Sequence, residues 1–231
     1  MNDEKLCWLW AYSEQLCMLD RYDARWIGLS QSDWPDEEFA RFLRTYRLVR
    51  GSSGKLVFAN SSRNNRVQFY QICKDVFQRE IGDSTDLAGA DRTWKLAVEA
   101  TKEKFDDGPR LYSAVSKLLW FYLPNSWIMF DRLNQAALAE WLKSKQHIKS
   151  KRDLTADTFT SGFQKFYETE GREGVEFASR FFDRAYPYSP RVAEKYLWLM
   201  GLKESERMLI LSSYRASLKI APYSGHLLCN R

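Results

Sequence analysis

The chain has 231 residues, of which 45% are hydrophobic and 28% charged, so it is long enough to bury a sizeable core. Its most apolar stretches are short and interrupted by charged residues, which excludes a membrane span, and its acidic beginning, MNDEKLCWLW, is unlike a secretory signal. The net charge of +5 favours a polyanionic partner only weakly. We therefore expect a cytoplasmic protein without membrane contact.

Helical spacing of apolar residues dominates the first half of the chain. The pattern predicts helices over residues 3–25, 32–51, 67–81 and 91–105. Gly28 and Gly51 are the expected ends of the first two, and Pro35 with the acidic residues after it is typical of a helix start. Residues 55–59 are the only candidate strand. The nearby GSSGK lacks the Gly-x4-Gly-Lys-Ser/Thr spacing of a phosphate loop.

The second half of the chain is also helical. A central apolar helix over residues 110–122 follows the turn DDGP and breaks at Pro124, and another helix runs from Asp131 to about Lys145. Further helices are predicted over residues 158–170, 173–185, 190–202 and 205–218. Because strands are so scarce, we expect a single all-α domain of about nine or ten helices. The interval 82–91 is the best candidate for a lobe boundary, with the N-terminal and C-terminal helices packing around residues 92–145.

Two residues of the central stretch stand out chemically. Lys117 is the only charged residue between Leu111 and Phe130, and Asp131 stands where the next helix begins. A buried ammonium is costly unless it is paired, so a lysine in an apolar helix suggests a chemical role. Both residues also have ordinary explanations, because long lysine side chains reach solvent from apolar faces and Asp is a preferred N-cap.

The sequence offers few ligands for a metal. Its four cysteines form neither a CxxC motif nor a cluster with histidine, and only His147 and His226 are available as imidazole ligands. Protein zinc sites are built from Cys and His at characteristic spacings. We therefore expect no metal site and no cofactor.

Two basic segments are candidates for contacts with the phosphates of a nucleic acid. The first, SSRNNR at 61–66, mixes arginine with Ser and Asn in a predicted loop, and the second, at 143–154, carries a run of cations before its first acid. Such mixtures are typical of phosphate contacts, although charged runs are often only solvated. The candidate DNA-binding residues are Arg63, Asn64, Arg66, Lys143, Lys145, Lys149, Lys151 and Arg152.

The order of features in DDGPRLYSAVSKLLWFYLPNSWIMFDRLNQAAL resembles the helix-hairpin-helix DNA glycosylases, and more closely the divergent bacterial proteins similar to 8-oxoguanine glycosylase. The later stretch SPRVAEKYLWLMG is similar to the closing helix of that divergent group. Together the two stretches cover about a fifth of the chain. The chain departs from the family in lacking its Leu-x-Gly-Val-Gly hairpin, which contacts the DNA backbone.

The resemblance implies two helical lobes flanking a cleft, and a monomer that excises a damaged or modified base from double-stranded DNA near the bacterial nucleoid. Asp131 would stabilise the oxocarbenium-like transition state, and Lys117 would be the amine nucleophile of an associated lyase step. The amine must be uncharged to attack, which an apolar setting favours. The flipped base also needs a pocket of flat side chains. Its candidates are Trp120, Phe121, Tyr122, Trp127 and Phe130, although aromatic residues at helical spacing more often belong to the core.

The substrate and the reaction class remain open at this point. Repair of oxidised guanine and excision of a virus-modified base in phage defence both fit the resemblance. One alternative is a non-catalytic nucleic-acid-binding protein on a degenerate glycosylase fold, in which Lys117 only touches phosphate. A defence-system nuclease is disfavoured, because the acidic pair Asp106-Asp107 has no spaced partner and neither histidine follows an arginine at the spacing of helical ribonucleases. Only the resemblance argues against a purely structural interaction protein.

Overall fold

The computed structural model describes residues 2–30, 33–46, 48, 63–81, 86–105 and 109–220. This part of the chain contains helices and no strand, so the predicted all-α fold is confirmed. No helix within it is long and apolar enough to cross a membrane. The candidate strand at 55–59 and the acidic pair at 106–107 lie outside the described residues.

The α-helical segments follow one another along the described part of the chain. They are α1 (Asp3–Met18), α2 (Ala24–Leu29), α3 (Asp36–Thr45), α4 (Arg63–Glu80), α5 (Leu87–Phe105), α6 (Pro109–Tyr122), α7 (Arg132–Ser144), α8 (Ala156–Phe166), α9 (Arg172–Ser179), α10 (Ser189–Met200) and α11 (Glu204–Ile220). One π-helical turn, Leu19–Asp23, joins α1 to α2, and another, Tyr167–Gly171, joins α8 to α9. Because these turns make α1 continuous with α2 and α8 continuous with α9, the eleven segments of the described part form nine separate helices, as predicted.

Several helix ends differ from the prediction. The first helical run ends at Leu29, one residue after the stop predicted at Gly28. The next helix, α3, ends at Thr45, before Gly51. In the other direction, α4 begins at Arg63, so residues 63–66 are helical where a loop was predicted. The helices expected over 158–170 and 173–185 form one run through a π-helical turn.

The chain divides into two compact units, one made of residues 1–25 and 130–231 and the other of residues 26–129. We call them the terminal unit and the inserted unit. The lobe boundary predicted near 82–91 falls inside the inserted unit, where α4 and α5 pack against each other. The segment 92–145, predicted as a shared centre, contributes to both units. The division follows contacts between distant parts of the chain, which local sequence patterns do not encode.

The inserted unit is built around a cluster of aromatic rings. Phe121 of α6 lies 5.6 Å from Phe42, 5.7 Å from Trp34 and 5.6 Å from Trp26, measured between ring centroids. All three pairs meet edge to face or nearly so, and such pairs stabilise a core by about 0.5–1.5 kcal/mol each beyond area burial. The indole N–H of Trp26 donates to Glu38 at 3.3 Å, so this buried donor is satisfied.

The terminal unit packs α1 against α9, α10 and α11. The Trp8 ring of α1 stacks on Tyr196 of α10 with centroids 3.8 Å apart and planes within 3°. Gly174 lets α9 come close to the same ring, because a Cβ at this position would lie 2.1 Å from Trp8. The hydroxyl of Tyr214 in α11 donates to the carbonyl of Leu9 at 3.2 Å and ties the last helix to the first.

Candidate functional site

Lys117 lies on α6 of the inserted unit and its residue surface is 9% exposed. It is not an isolated ammonium, because it has an interaction partner in the folded chain. The preceding residue, Ser116, fastens the segment after the Pro124 turn: its Oγ donates to the carbonyl of Ile128 at 3.2 Å, and Trp127 Nε1 donates to its carbonyl at 3.0 Å. The backbone next to the lysine is therefore held against residues 127–128.

Asp131 is the N-cap of α7 in the terminal unit, as predicted. Its backbone is extended, with φ −142° and ψ 148°, and its carboxylate accepts a hydrogen bond from the N–H of Leu133 at 3.0 Å. The side chain is partly exposed. A carboxylate that caps a helix N-terminus is held in one orientation, close to the positive end of the helix dipole.

Helix α10 fixes the first turn of α7, and with it the position of Asp131. Asn134 Nδ2 donates to Glu194 at 2.9 Å, and Arg191 forms an ion pair with the same carboxylate oxygen. At the end of α10, Gly201 lies against the backbone of Leu133, where an added Cβ would come within 2.2 Å of the carbonyl oxygen. The sequence patterns did not single out Arg191, Glu194 or Gly201, although all three lie in the SPRVAEKYLWLMG stretch.

The Arg191–Glu194 pair gives a prediction for stability. Its side chains are only 7% and 4% exposed, and removing one partner of a buried ion pair destabilises a protein by about 3–5 kcal/mol. We therefore expect Glu194→Leu to lower the free energy of unfolding in urea by that amount. Glu173→Leu, at an exposed position of α9, is the control and should change it by less than about 0.5 kcal/mol.

A double variant separates the charge effect from a packing defect. In Arg191→Met combined with Glu194→Leu no charge of the pair is left buried, so this protein should be more stable than Glu194→Leu alone. If the single and double variants are equally unstable, the charge left on Arg191 is not the cause, and the loss of stability reflects packing between α10 and α7.

The five candidate rings of the base pocket are mainly core residues. Trp120 and Phe121 are fully buried, Trp127 is 1% exposed, and Phe130 is 8% exposed with its ring 4.9 Å from that of Phe159. The Tyr122 hydroxyl lies 3.3 Å from that of Tyr70, and burial together with this hydrogen bond raises the pKa of Tyr122. These rings therefore follow the general tendency of regularly spaced aromatic residues to be buried in the core.

The first basic segment is less available for phosphates than its sequence suggests. Arg66 makes a two-pronged contact with Asp36, with Nε 3.2 Å from Oδ1 and a terminal nitrogen 2.8 Å from Oδ2. Such a bidentate pair balances the guanidinium charge. Asn64 is exposed in the first turn of α4, and the side chain of Arg63 lies outside the described part.

The second basic segment is a tightly capped loop. Gln146, at φ 61°, ends α7, and the N–H of His147 donates to the carbonyl of Leu142 at 2.8 Å. Asp153 then accepts from the N–H groups of Lys149 and Ser150 at 3.1 and 2.8 Å. These bonds hold the backbone that carries the cations in one conformation.

Only part of the second segment has uncompensated charge. Lys145 pairs with Glu170 at 2.6 Å, and Lys151 pairs with Glu140. Three exposed cations form no ion pair within the described part of the chain, and we call them the basic cluster: Lys143, Lys149 and Arg152. The basic cluster is the strongest candidate for phosphate contacts in the terminal unit.

A second notable lysine was not predicted. Lys195 of α10 has its Nζ 4.4 Å from the ring centroid of Trp198, 5.3 Å from that of Trp10 and 3.7 Å from Glu14. Burial lowers the pKa of this amine, an effect that the Glu14 carboxylate opposes. The sequence gives no sign of the arrangement, because Trp10 and Lys195 meet only when α1 packs on α10.

Comparison with known proteins adds no relative. No family model, characterised protein or solved structure matches the chain significantly.

Proposed function

We propose that the protein is a DNA glycosylase that removes a damaged or modified base from double-stranded DNA, with an associated lyase activity. The observation that carries the proposal is Asp131, a carboxylate fixed at the N-terminus of α7 by its cap and by the contacts of α10 with the first turn. The helical fold and the buried Lys117 of α6 also support it. Such a protein would act as a monomer on the bacterial chromosome or on invading DNA in the cytoplasm.

The chemistry matches what these side chains can do. As the bond between C1′ and the base breaks, positive charge develops on the sugar, and a fixed carboxylate stabilises it by electrostatic attraction. An uncharged lysine amine can then attack C1′, and the departing base takes the electron pair of the bond with a proton. Neither step needs a redox partner.

DNA binding by the basic cluster is a separate prediction. Replacing Lys143, Lys149 and Arg152 with Gln should weaken binding to all sequences alike and reduce the salt dependence of affinity by about one unit of slope per lost contact. Fluorescence anisotropy over a salt series measures this slope. Lys145→Gln with Lys151→Gln is the matched control, and it should change the slope less, because Glu170 and Glu140 already balance these charges. An unchanged slope in the triple variant would remove the basic cluster from the interface.

The proposed function is tested by incubating the protein with duplexes that each carry one damaged or modified base, and with modified phage DNA. Released base is measured by mass spectrometry, and abasic sites are measured by alkaline cleavage. We expect release from at least one substrate and none from unmodified duplex. No release from any substrate by a protein that binds DNA would contradict a glycosylase.

A second candidate function is non-catalytic binding of nucleic acid. The burial of Trp120, Phe121, Trp127 and Phe130 favours it, because these rings are not open to a flipped base. This candidate gives the same salt dependence through the basic cluster but no base release. The duplex panel therefore separates the two functions.

A further inference from the structure

The inserted unit contains a small cavity between the start of α3 and the first turns of α4. Its volume is about 190 Å³. Trp34, Phe39 and Tyr70 supply aromatic walls, and Asp33 and Asp36 supply carboxylates. Flat apolar walls with a few polar groups are typical of sites for small planar ligands.

Trp34, in the cavity wall, has an indole N–H without a hydrogen-bond acceptor in the described part of the chain. The residue is only 5% exposed, and its indole Nε1 is buried. Its backbone N–H, by contrast, donates to the Tyr70 hydroxyl at 3.1 Å. A buried donor without an acceptor destabilises a fold. Because this N–H is enclosed by protein, the donor for a ligand acceptor is the exposed side-chain amide of Gln71, which lines the cavity and has a second N–H besides the one it donates to Asp75.

The carboxylates of the cavity complement the donors of a ligand. Asp36 is bound to Arg66, and Asp33 is bound to Lys74, so both charges are balanced inside the protein. Asp33 still has capacity, because its side chain is 76% exposed and an ionised carboxyl group offers about four lone-pair positions. The cavity therefore suits an uncharged ring with amino or ring N–H donors, and it does not require a cation.

Size and surroundings narrow the ligand further. The volume is below the roughly 300 Å³ at which pockets for drug-sized molecules begin, so a single heterocycle fits the cavity better than a whole nucleotide. A more open depression of about 640 Å³ shares Val67 and Gln71 with the cavity and adds the amides of Asn64 and Gln68. A sugar attached to the bound ring can lie along this face of α4.

We propose that the cavity binds a nucleobase that carries both an amino group and a ring carbonyl, with its sugar over the first turns of α4. The carbonyl is the acceptor for the Gln71 amide, and the amino group donates to the Asp33 carboxylate. The role of the cavity as the pocket for the excised base rests on the proposed glycosylase function. The binding of the nucleobase does not rest on that function. In this proposal the cavity, and not the five aromatic residues selected from the sequence, recognises the base.

Isothermal titration of the whole protein with guanosine and with cytidine tests the binding. Saturable binding of at least one of them is expected, with none for ribose. Val67→Trp should fill the mouth of the cavity and weaken binding at least tenfold. Val67 is 45% exposed, so the larger ring should not disturb folding, and Leu96→Trp at a 40% exposed site on α5 is the matched control that keeps wild-type affinity. Thermal unfolding checks that both variants are folded.

The outcomes separate this proposal from the proposed function. Absence of saturable binding to both nucleosides, equal binding of ribose, or unchanged affinity in Val67→Trp would each overturn the cavity as a base site. Nucleoside binding that Val67→Trp removes, in a protein without base release, supports the cavity and contradicts the glycosylase. Base release that survives Val67→Trp unchanged overturns the cavity as the pocket of the reaction.

Discussion

Asp131→Asn is expected to lower the rate of base release by about a hundredfold or more while leaving folding and DNA binding intact. Removing a preorganised group that stabilises transition-state charge commonly costs this much. The helix itself should tolerate the change, because Asn caps helices about as well as Asp and can accept the same hydrogen bond from Leu133. Single-turnover release of base, measured beside thermal unfolding and DNA affinity, separates the two roles.

The chain provides a matched control for this substitution. Asp86 precedes α5 and accepts a hydrogen bond from the N–H of Gly89 at 2.7 Å, so Asp86→Asn makes the same chemical change at another helix start. Its rate should remain that of the wild-type protein. If well-folded Asp131→Asn releases base at a near wild-type rate, the carboxylate is only a cap and the proposed mechanism is wrong.

The sequence was most informative where a local rule determines the structure. Asp131 as N-cap and a helix ending near Lys145 follow from residue preference and apolar spacing, and the structure has α7 over Arg132–Ser144. The stop predicted at Gly28 was only one residue early, since α2 ends at Leu29. The partition into units was beyond local rules, since α1 packs against α9, α10 and α11 from the far end of the chain.

The candidate site was predictable only in part, because charge is balanced by residues distant in sequence. Arg66 looked available for phosphate until the fold brought Asp36 within 2.8 Å of it. Lys145 also looked available for phosphate, but in the folded protein its charge is balanced by Glu170. The sequence of α6 does not indicate which of its aromatic side chains are exposed, and in the folded protein Trp120 and Phe121 are fully buried. Trp34 became notable only through a cavity that α3 and α4 form together.

Lys117 should form a covalent adduct with substrate DNA that borohydride makes permanent. When the amine displaces the base at C1′, the sugar ring opens to an imine, and hydride addition converts this imine into a stable secondary amine. The expected effect is all-or-none: Lys117→Met should yield no adduct, because no amine remains at that position. Met keeps an unbranched apolar chain at a site only 9% exposed, so the folded core should be retained.

Lys195 is the control that makes the trapping experiment decisive. Burial lowers the pKa of its amine, which makes it a competing nucleophile in the terminal unit. We expect Lys195→Met to keep the adduct and peptide mapping to place the modification on Lys117. An adduct mapped to Lys195, or one that survives Lys117→Met, would move the nucleophile away from α6. Base release without any adduct would instead leave Asp131 in its role and make water the nucleophile, because a carboxylate-stabilised oxocarbenium ion can be captured by either.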